Sequence, residues 1–283
     1  MIGKQAYKSW TLSDELWEKI KPYIPEHQRD PNKKYERKVG GGRKPPDKRE
    51  ILAAILYVLR TGCQWKSIPK GSNVHRYFQI WTEAGFFEAV WAAGLYEYDE
   101  LKGLEWEWQS LDGSMTKAPL AQESVGKNPT DRGKKWTKRS VLTEGKGLPV
   151  AFVISGANAH DAKLLEKTLD NLVVFRPVPT EEKPQNLCLD AGYVGYEDAV
   201  KLRNYIPHIR PRGEEKKEIE RNPDFKPRRW VVEVTHSFVN RFRKLLVRFE
   251  KKGINHCGLI EFAFAIIVWR KLIPVHEGMV ILG

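Results

Sequence analysis

The sequence predicts an α/β protein, a mixed sheet with helices on its faces, preceded by a small all-α unit. Three observations carry that expectation. Apolar residues recur at helical three- and four-residue steps as far as Tyr96. From Trp108 the pattern changes to strand-like alternation with glycine turns. Beyond Asp161, short apolar runs alternate with helical stretches, the order that lays helices against a sheet.

In the first unit, Ser13 stands where an N-cap would open a helix through Leu16, Trp17 and Ile20, closed by Pro22 and Pro25. Residues 26–47 then form a basic, Gly/Pro-rich arm, which reads either as a solvated linker or as a segment that tracks a DNA backbone. Ile51, Leu52, Ile55, Leu56 and Leu59 mark a second helix broken by Thr61-Gly62. After a short segment at 64–69, Ser72-Asn73 would cap a third helix with Val74, Tyr77, Phe78 and Trp81 inside and His75, Arg76 and Gln79 outside. This spacing is that of a helix-turn-helix, and equally of an ordinary helical bundle. A fourth helix is expected over 86–96 and a linker over 98–107, so the domain boundary is set between residues 97 and 98.

In the second unit, strands are expected at 108–111, 136–142, 148–154, 187–189 and 206–209, with helices over 161–172 and 195–204. A long helix is expected from about Arg228 to Phe249, followed by an apolar one from Cys257 to Leu272. In the long helix Val231, Val234, Phe238, Phe242, Leu245 and Phe249 make one buried stripe, and Arg229, Glu233, His236, Asn240 and Arg243 a polar row.

Charge narrows the function. Over 283 residues the formal net charge is +12, with 30% charged and 41% hydrophobic residues, so the chain is globular and suited to a polyanion. The most apolar stretch, 259–273, carries Glu261, Arg270 and Lys271, too many charges for a membrane span, and the N-terminus lacks the apolar core of a signal peptide. Cys63, Cys188 and Cys257 are far apart, odd in number and set in apolar runs, as expected of small buried thiols in a reducing cytoplasm.

Three carboxylates stand out. Asp112 closes the run Trp106–Leu111, Asp190 closes Asn186–Leu189, and Glu233 lies on the long helix. Each has a plain alternative: a turn residue for the two aspartates, an Arg229–Glu233 surface pair for the glutamate. Together, two acids at strand ends and a helical glutamate suit a pair of hard divalent ions.

Residues 43–81, with Arg49-Glu50-Ile51-Leu52 leading to Tyr57-Val58-Leu59-Arg60-Thr61-Gly62-Cys63-Gln64-Trp65, resemble the N-terminal domain of bacterial insertion-sequence transposases. Residues 110–270 resemble their Asp-Asp-Glu (DDE) catalytic domain through Leu111-Asp112-Gly113-Ser114, Asp131-Arg132-Gly133-Lys134, Gly156-Ala157-Asn158-Ala159-His160-Asp161, Leu189-Asp190-Ala191-Gly192-Tyr193, Arg229-Trp230-Val231-Val232-Glu233 and Asn240-Arg241-Phe242-Arg243. The resemblance implies an RNase H-like catalytic domain over 98–283, and a helix-turn-helix-like DNA-binding domain over 1–97. It implies Asp112, Asp190 and Glu233 as the catalytic residues and ligands of two Mg²⁺, with Mn²⁺ a substitute. The implied partners are double-stranded DNA, as terminal inverted repeats and target, and a second copy of the chain on that DNA. The implied function is cutting of transposon ends and their joining to target DNA. A nuclease without strand transfer and an inactive DNA-binding regulator are the alternatives. Candidate DNA contacts are Arg43, Lys44, Lys66, His75, Arg76, Gln79, Lys134, Lys135, Arg210, Arg212, Arg229, His236, Asn240, Arg241 and Arg243. The chain departs from the family in having Val234 where Arg usually follows the glutamate, and Phe238 where Trp usually follows the helix serine.

Overall fold

The computed structural model describes residues 12–26, 32, 34, 36, 44–209, 221, 228 and 230–273. Four helices come first: α1 (Asp14–Ile20), α2 (Lys48–Thr61), α3 (Gly71–Glu83) and α4 (Phe86–Lys102). Ser13 caps α1 by accepting from the Leu16 amide at 3.1 Å. Asp47 caps α2, and Gly62, at φ 72°, ends it in the left-handed region.

The third helix begins earlier than its Ser72-Asn73 signal suggests. Its cap is Lys70, at φ 55° and with no side-chain bond. The reason is steric: a Cβ on Gly71 would lie 1.7 Å from the Trp65 carbonyl oxygen. The chain doubles back tightly on the single turn Trp65–Ser67, and the helix starts where glycine fits.

The sheet has six strands: β1 (Trp108–Lys117), β2 (Gly126–Lys127), β3 (Lys135–Glu144), β4 (Pro149–Gly156), β5 (Asn186–Leu189) and β6 (Ile206–Ile209). β1 pairs antiparallel with β3, whose far edge is shared by β4 and the two-residue β2. On its other side β1 pairs parallel with β5, and β5 parallel with β6. With the short β2 set aside, three antiparallel strands are followed by two parallel ones, and the second aspartate ends the fourth: the RNase H-like arrangement.

Helices cover both faces. α5 (Asp161–Leu169) lies against β3 and β4, where Thr168 Oγ1 donates to Ser140 Oγ at 2.8 Å. Beside it, α6 (Glu197–Lys201) packs on β6. The opposite face carries α7 (Trp230–Asn240) and α8 (Gly253–Leu272).

α8 is buried all round. From Gly258 to Trp269 every residue but Glu261 is buried, because β4 lies on one side and α3 and α4 on the other. Phe87 meets Phe262, and Trp91 meets Phe264, each with ring centroids 5.1 Å apart. The indole N–H groups are satisfied: Trp91 donates to the Pro149 carbonyl at 2.9 Å and Trp269 to the Val90 carbonyl at 3.0 Å. The helices approach at small residues. A Cβ on Gly94 would come within 2.9 Å of the Trp269 Nε1, and one on Gly258 within 2.6 Å of the Thr82 Oγ1.

Two expectations are corrected. α4 runs unbroken to Lys102, through the expected boundary at 97/98 and into the expected linker, because its face packs against α8. The long helix from 228 stops at Asn240. The chain turns there, forms a single tight turn at Arg243–Leu245, and bridges β1 by pairing Val247 with Lys117. Phe242 and Leu245 are buried through that turn, while Phe249, expected on the buried stripe, is exposed.

Candidate active site

Asp112 lies inside β1, not at its end. It sits opposite Val141 of β3, and the strand continues to Lys117. The Asp-Gly pair is therefore no turn. Gly113 is small because the Asp161 carboxylate lies over it: a Cβ there would come 2.7 Å from Asp161 Oδ1. Asp190 follows the last residue of β5, and its side chain accepts from the Gly192 amide at 2.8 Å, capping the single turn Ala191–Tyr193. The parallel register that pairs Trp108 with Asn186 and Ser110 with Cys188 carries Asp112 and Asp190 to the same level on neighbouring strands. Adjacent strands lie about 4.8 Å apart.

Ser110, Asp112 and Ser114 share one face of β1, the face that α7 crosses. Ser110 Oγ donates to the Arg228 carbonyl at 3.1 Å, and Thr235 Oγ1 pins the helix by donating to the Gly147 carbonyl at 2.8 Å. The buried side of α7 is Val231, Val232, Thr235, His236 and Val239; Glu233 is exposed and Val234 half-buried.

His236, expected in the polar row, is buried with its Nε2 3.8 Å from Asp112 Oδ2. Burial first, and the nearby Arg139 charge second, push its imidazole down to about 3. It is neutral, so its approach to Asp112 is not an ion pair.

Arg139 stands opposite Ser114 and donates to its Oγ at 3.0 Å. Burial lowers its guanidinium to about 10, leaving it charged at neutral pH. It is a buried positive charge on the sheet face that carries Asp112. On the other face, Lys138 donates to the Ala159 carbonyl at 2.8 Å and pairs with Asp161 at 3.0 Å.

Asp112 and Asp190 thus come to one level, and α7 carries Glu233 one turn before the histidine that touches Asp112. Among the described residues, no three His, Cys, Asp or Glu side chains already stand together as a metal-ligand group. The donor chemistry fits a hard dication nonetheless: two part-exposed carboxylates at one level and an exposed glutamate on the helix crossing their face supply anionic oxygen alone.

The expected DNA contacts divide. Lys44, Lys66, Lys135, Asn240, Arg241 and Arg243 are exposed. Lys134 is exposed and pairs with Asp131 at 3.4 Å. Arg76 is exposed, lying over Tyr77 and bonded to Asn73, and Gln79 is half-buried. His75 is turned to packing instead. It stacks on Trp65 with ring centroids 4.9 Å apart, and burial lowers its imidazole. Arg43, Arg210, Arg212 and Arg229 lie outside the described residues.

The reading of the sequence missed Arg139, Lys138, Asp161 and Tyr193. Arg139 had one legible signal, a cation in the middle of the run Thr137–Leu142. A further buried set also escaped it. Lys244 pairs with Glu250 at 3.2 Å, and Arg248 donates to Thr137 Oγ1 at 2.8 Å and to the Ser124 carbonyl at 3.1 Å. These groups tie the segment after α7 to the sheet.

Two family models match the chain. One, described as "Putative transposase of IS4/5 family", covers residues 12–91, and the other, "Transposase DDE domain", covers residues 109–268. A Burkholderia cepacia protein, "Putative transposase for insertion sequence element IS402", is 31% identical over 152 residues, 52% of this chain and 70% of its own length. Among solved structures, the Mos1 mariner paired-end complex with Mn aligns at 12% identity and TM-score 0.27, over 72% of this chain and 80% of that one. The Mos1 transposase complex with the left transposon end aligns at 13% identity and TM-score 0.26, over 74% and 82%.

Proposed function

Because the chain belongs to the transposase DDE-domain family, we propose that it is a DNA transposase that cuts the ends of its own element and joins them to target DNA. The observation that carries the reading is the placement of Asp112 and Asp190 at one level of neighbouring parallel strands, with α7 and Glu233 crossing the same face.

Asp112, Asp190 and Glu233 would hold the divalent ions, Mg²⁺ by preference and Mn²⁺ as substitute. When bound, such ions acidify water and stabilise the departing oxygen of a phosphodiester. The chain's own groups do the rest. Arg139 puts a buried positive charge on the sheet face that carries Asp112, and neutral His236 lies against Asp112 without adding charge. Thr235 fixes α7 on the β3–β4 turn, so Glu233 is presented from a helix rather than a loop. The exposed Arg241 and Arg243 follow directly on α7, where they can hold phosphates beside the acids. Lys44, Lys66, Arg76 and Lys135 offer further backbone contacts, and Gln79 a contact to a base edge. Val234, half-buried in place of a cation, leaves phosphate binding to Asn240 at the end of this helix and to Arg241 and Arg243 just beyond it. Joining two ends calls for two acid centres, hence a dimer on DNA.

The test uses a labelled duplex carrying the element's inverted repeat, with Mg²⁺ or Mn²⁺, and compares the wild type with Asp190→Ala. Metal-dependent nicking and joined products, both lost in the variant, are expected. Cutting without joining would mark a nuclease; tight binding without cutting would mark a DNA-binding regulator.

A further inference from the structure

We infer that Tyr193 is a positioning residue of the acid centre: its hydroxyl is a donor held in reserve for the carboxylates of Asp112 and Asp190, engaged when a dication draws them together. The inference rests on the transposase reading above.

Tyr193 is 1% exposed, and its hydroxyl has no hydrogen-bond partner among the described residues. A buried donor without an acceptor destabilises the fold, so its persistence calls for an explanation. Its surroundings supply one. After burial itself, the groups acting on the phenol are the carboxylates of Asp161, Asp112 and Asp190, which together push its ionisation far above the usual phenol range. The hydroxyl therefore keeps its proton, and the groups around it, when ionised, only accept.

Of the three acids, Asp161 is already committed to Lys138. Asp190 uses Oδ1 on the Gly192 amide and has a second oxygen for another donor. The geometry ties tyrosine and acid into one unit: the Tyr193 amide donates to the Asp190 carbonyl at 3.1 Å, within the turn that the Asp190 side chain caps. A shift of that turn toward Asp112 moves the phenol with it. Among the described residues the hydroxyl has no acceptor, and an ion that drew the two carboxylates together would bring one to it.

The test compares full-length wild type, Tyr193→Phe and Asp190→Ala, by melting in the presence of a chelator and by calorimetric titration with Mn²⁺. Tyr193→Phe is expected to melt at or above the wild-type temperature without metal, since it removes an unpaired donor. Its Mn²⁺ affinity should fall by about ten- to a hundredfold, the usual cost of losing an outer partner of a metal ligand, with end cleavage reduced in step. Unchanged Mn²⁺ affinity in Tyr193→Phe would overturn the inference and leave the transposase reading standing. A metal-free melt several degrees lower would overturn it too, by showing the hydroxyl already bonded for structure. Wild type that takes up no Mn²⁺ sensitive to Asp190→Ala would sink the acid centre and the inference together.

Discussion

The surroundings of α8 and those of Asp112 lie on the same side of one sheet, yet are built on opposite rules. Around α8 the groups are aromatic and aliphatic, the two indole N–H groups are bonded, and the helices touch at glycines. Around Asp112 the interior is polar and incompletely paired. Arg139 Nε, both ring nitrogens of His236 and the Tyr193 hydroxyl are buried without a hydrogen-bond partner among the described residues. The difference teaches where each property resides. The first region gains by burying apolar surface, about 1.5–3 kcal/mol for a side chain such as Phe262 or Phe264. The second gives some of that up, because a site that must hold charge cannot also be a well-satisfied core.

The sharpest way to separate the regions is to damage each alone. Asp112→Ala should abolish end cleavage while leaving the melting temperature unchanged or raised, since it removes one of several neighbouring negative charges. A melting curve beside a cleavage assay checks both. Trp91→Ala should do the reverse. It opens a large cavity against Phe264 and Phe152 and orphans the Pro149 carbonyl. A loss of about 3–5 kcal/mol is expected by urea denaturation, with cleavage retained at low temperature.

Acid and base sharpen the contrast further. Glu261 faces a cavity of about 270 Å³ between α4, α8 and β4, and burial first, then Glu88, pushes its carboxyl up to about 8. Its neutral form is favoured in the fold, so its contribution is complete below about 4.5 and is lost as pH rises toward 8. Glu261→Gln should therefore stabilise the protein increasingly with pH, by roughly 1–3 kcal/mol at pH 8 and hardly at pH 4.5, as measured by scanning calorimetry. His236 works the other way. Its folded value of about 3 lies below the ordinary 6.5, so stability falls as pH drops through that window. His236→Leu should flatten the fall. The variant should lose about 2 kcal/mol less than wild type between pH 7 and pH 5, read from urea midpoints; an undiminished slope would assign the acid sensitivity to His256 and other groups.

The same divide governed what could be read from the sequence. α2 was legible from its spaced apolar residues and from Gly62, which act locally; its Asp47 cap emerged only with the fold. The acids themselves were legible, but their settings were not. Asp112 looked like the end of a strand, because Gly113 is small for a tertiary reason, the Asp161 carboxylate above it. His236 looked like a surface residue, because α7 buries a face one step round from the one the apolar residues mark. The helix seemed to continue past Asn240, because Phe242 and Leu245 keep helical spacing while being buried through a turn. Periodicity reports which residues are inside. It does not report which element carries them there.

α4 has a consequence for how an end is cut. It runs without interruption from the helices expected to grip DNA to the threshold of β1, and α8 is clamped to it and to α3 at Gly94 and Gly258. A helix from Phe86 to Lys102 has a rise of roughly 25 Å. On the transposase reading, this rod would hold the helices proposed to grip DNA at one fixed distance from the strand that carries Asp112.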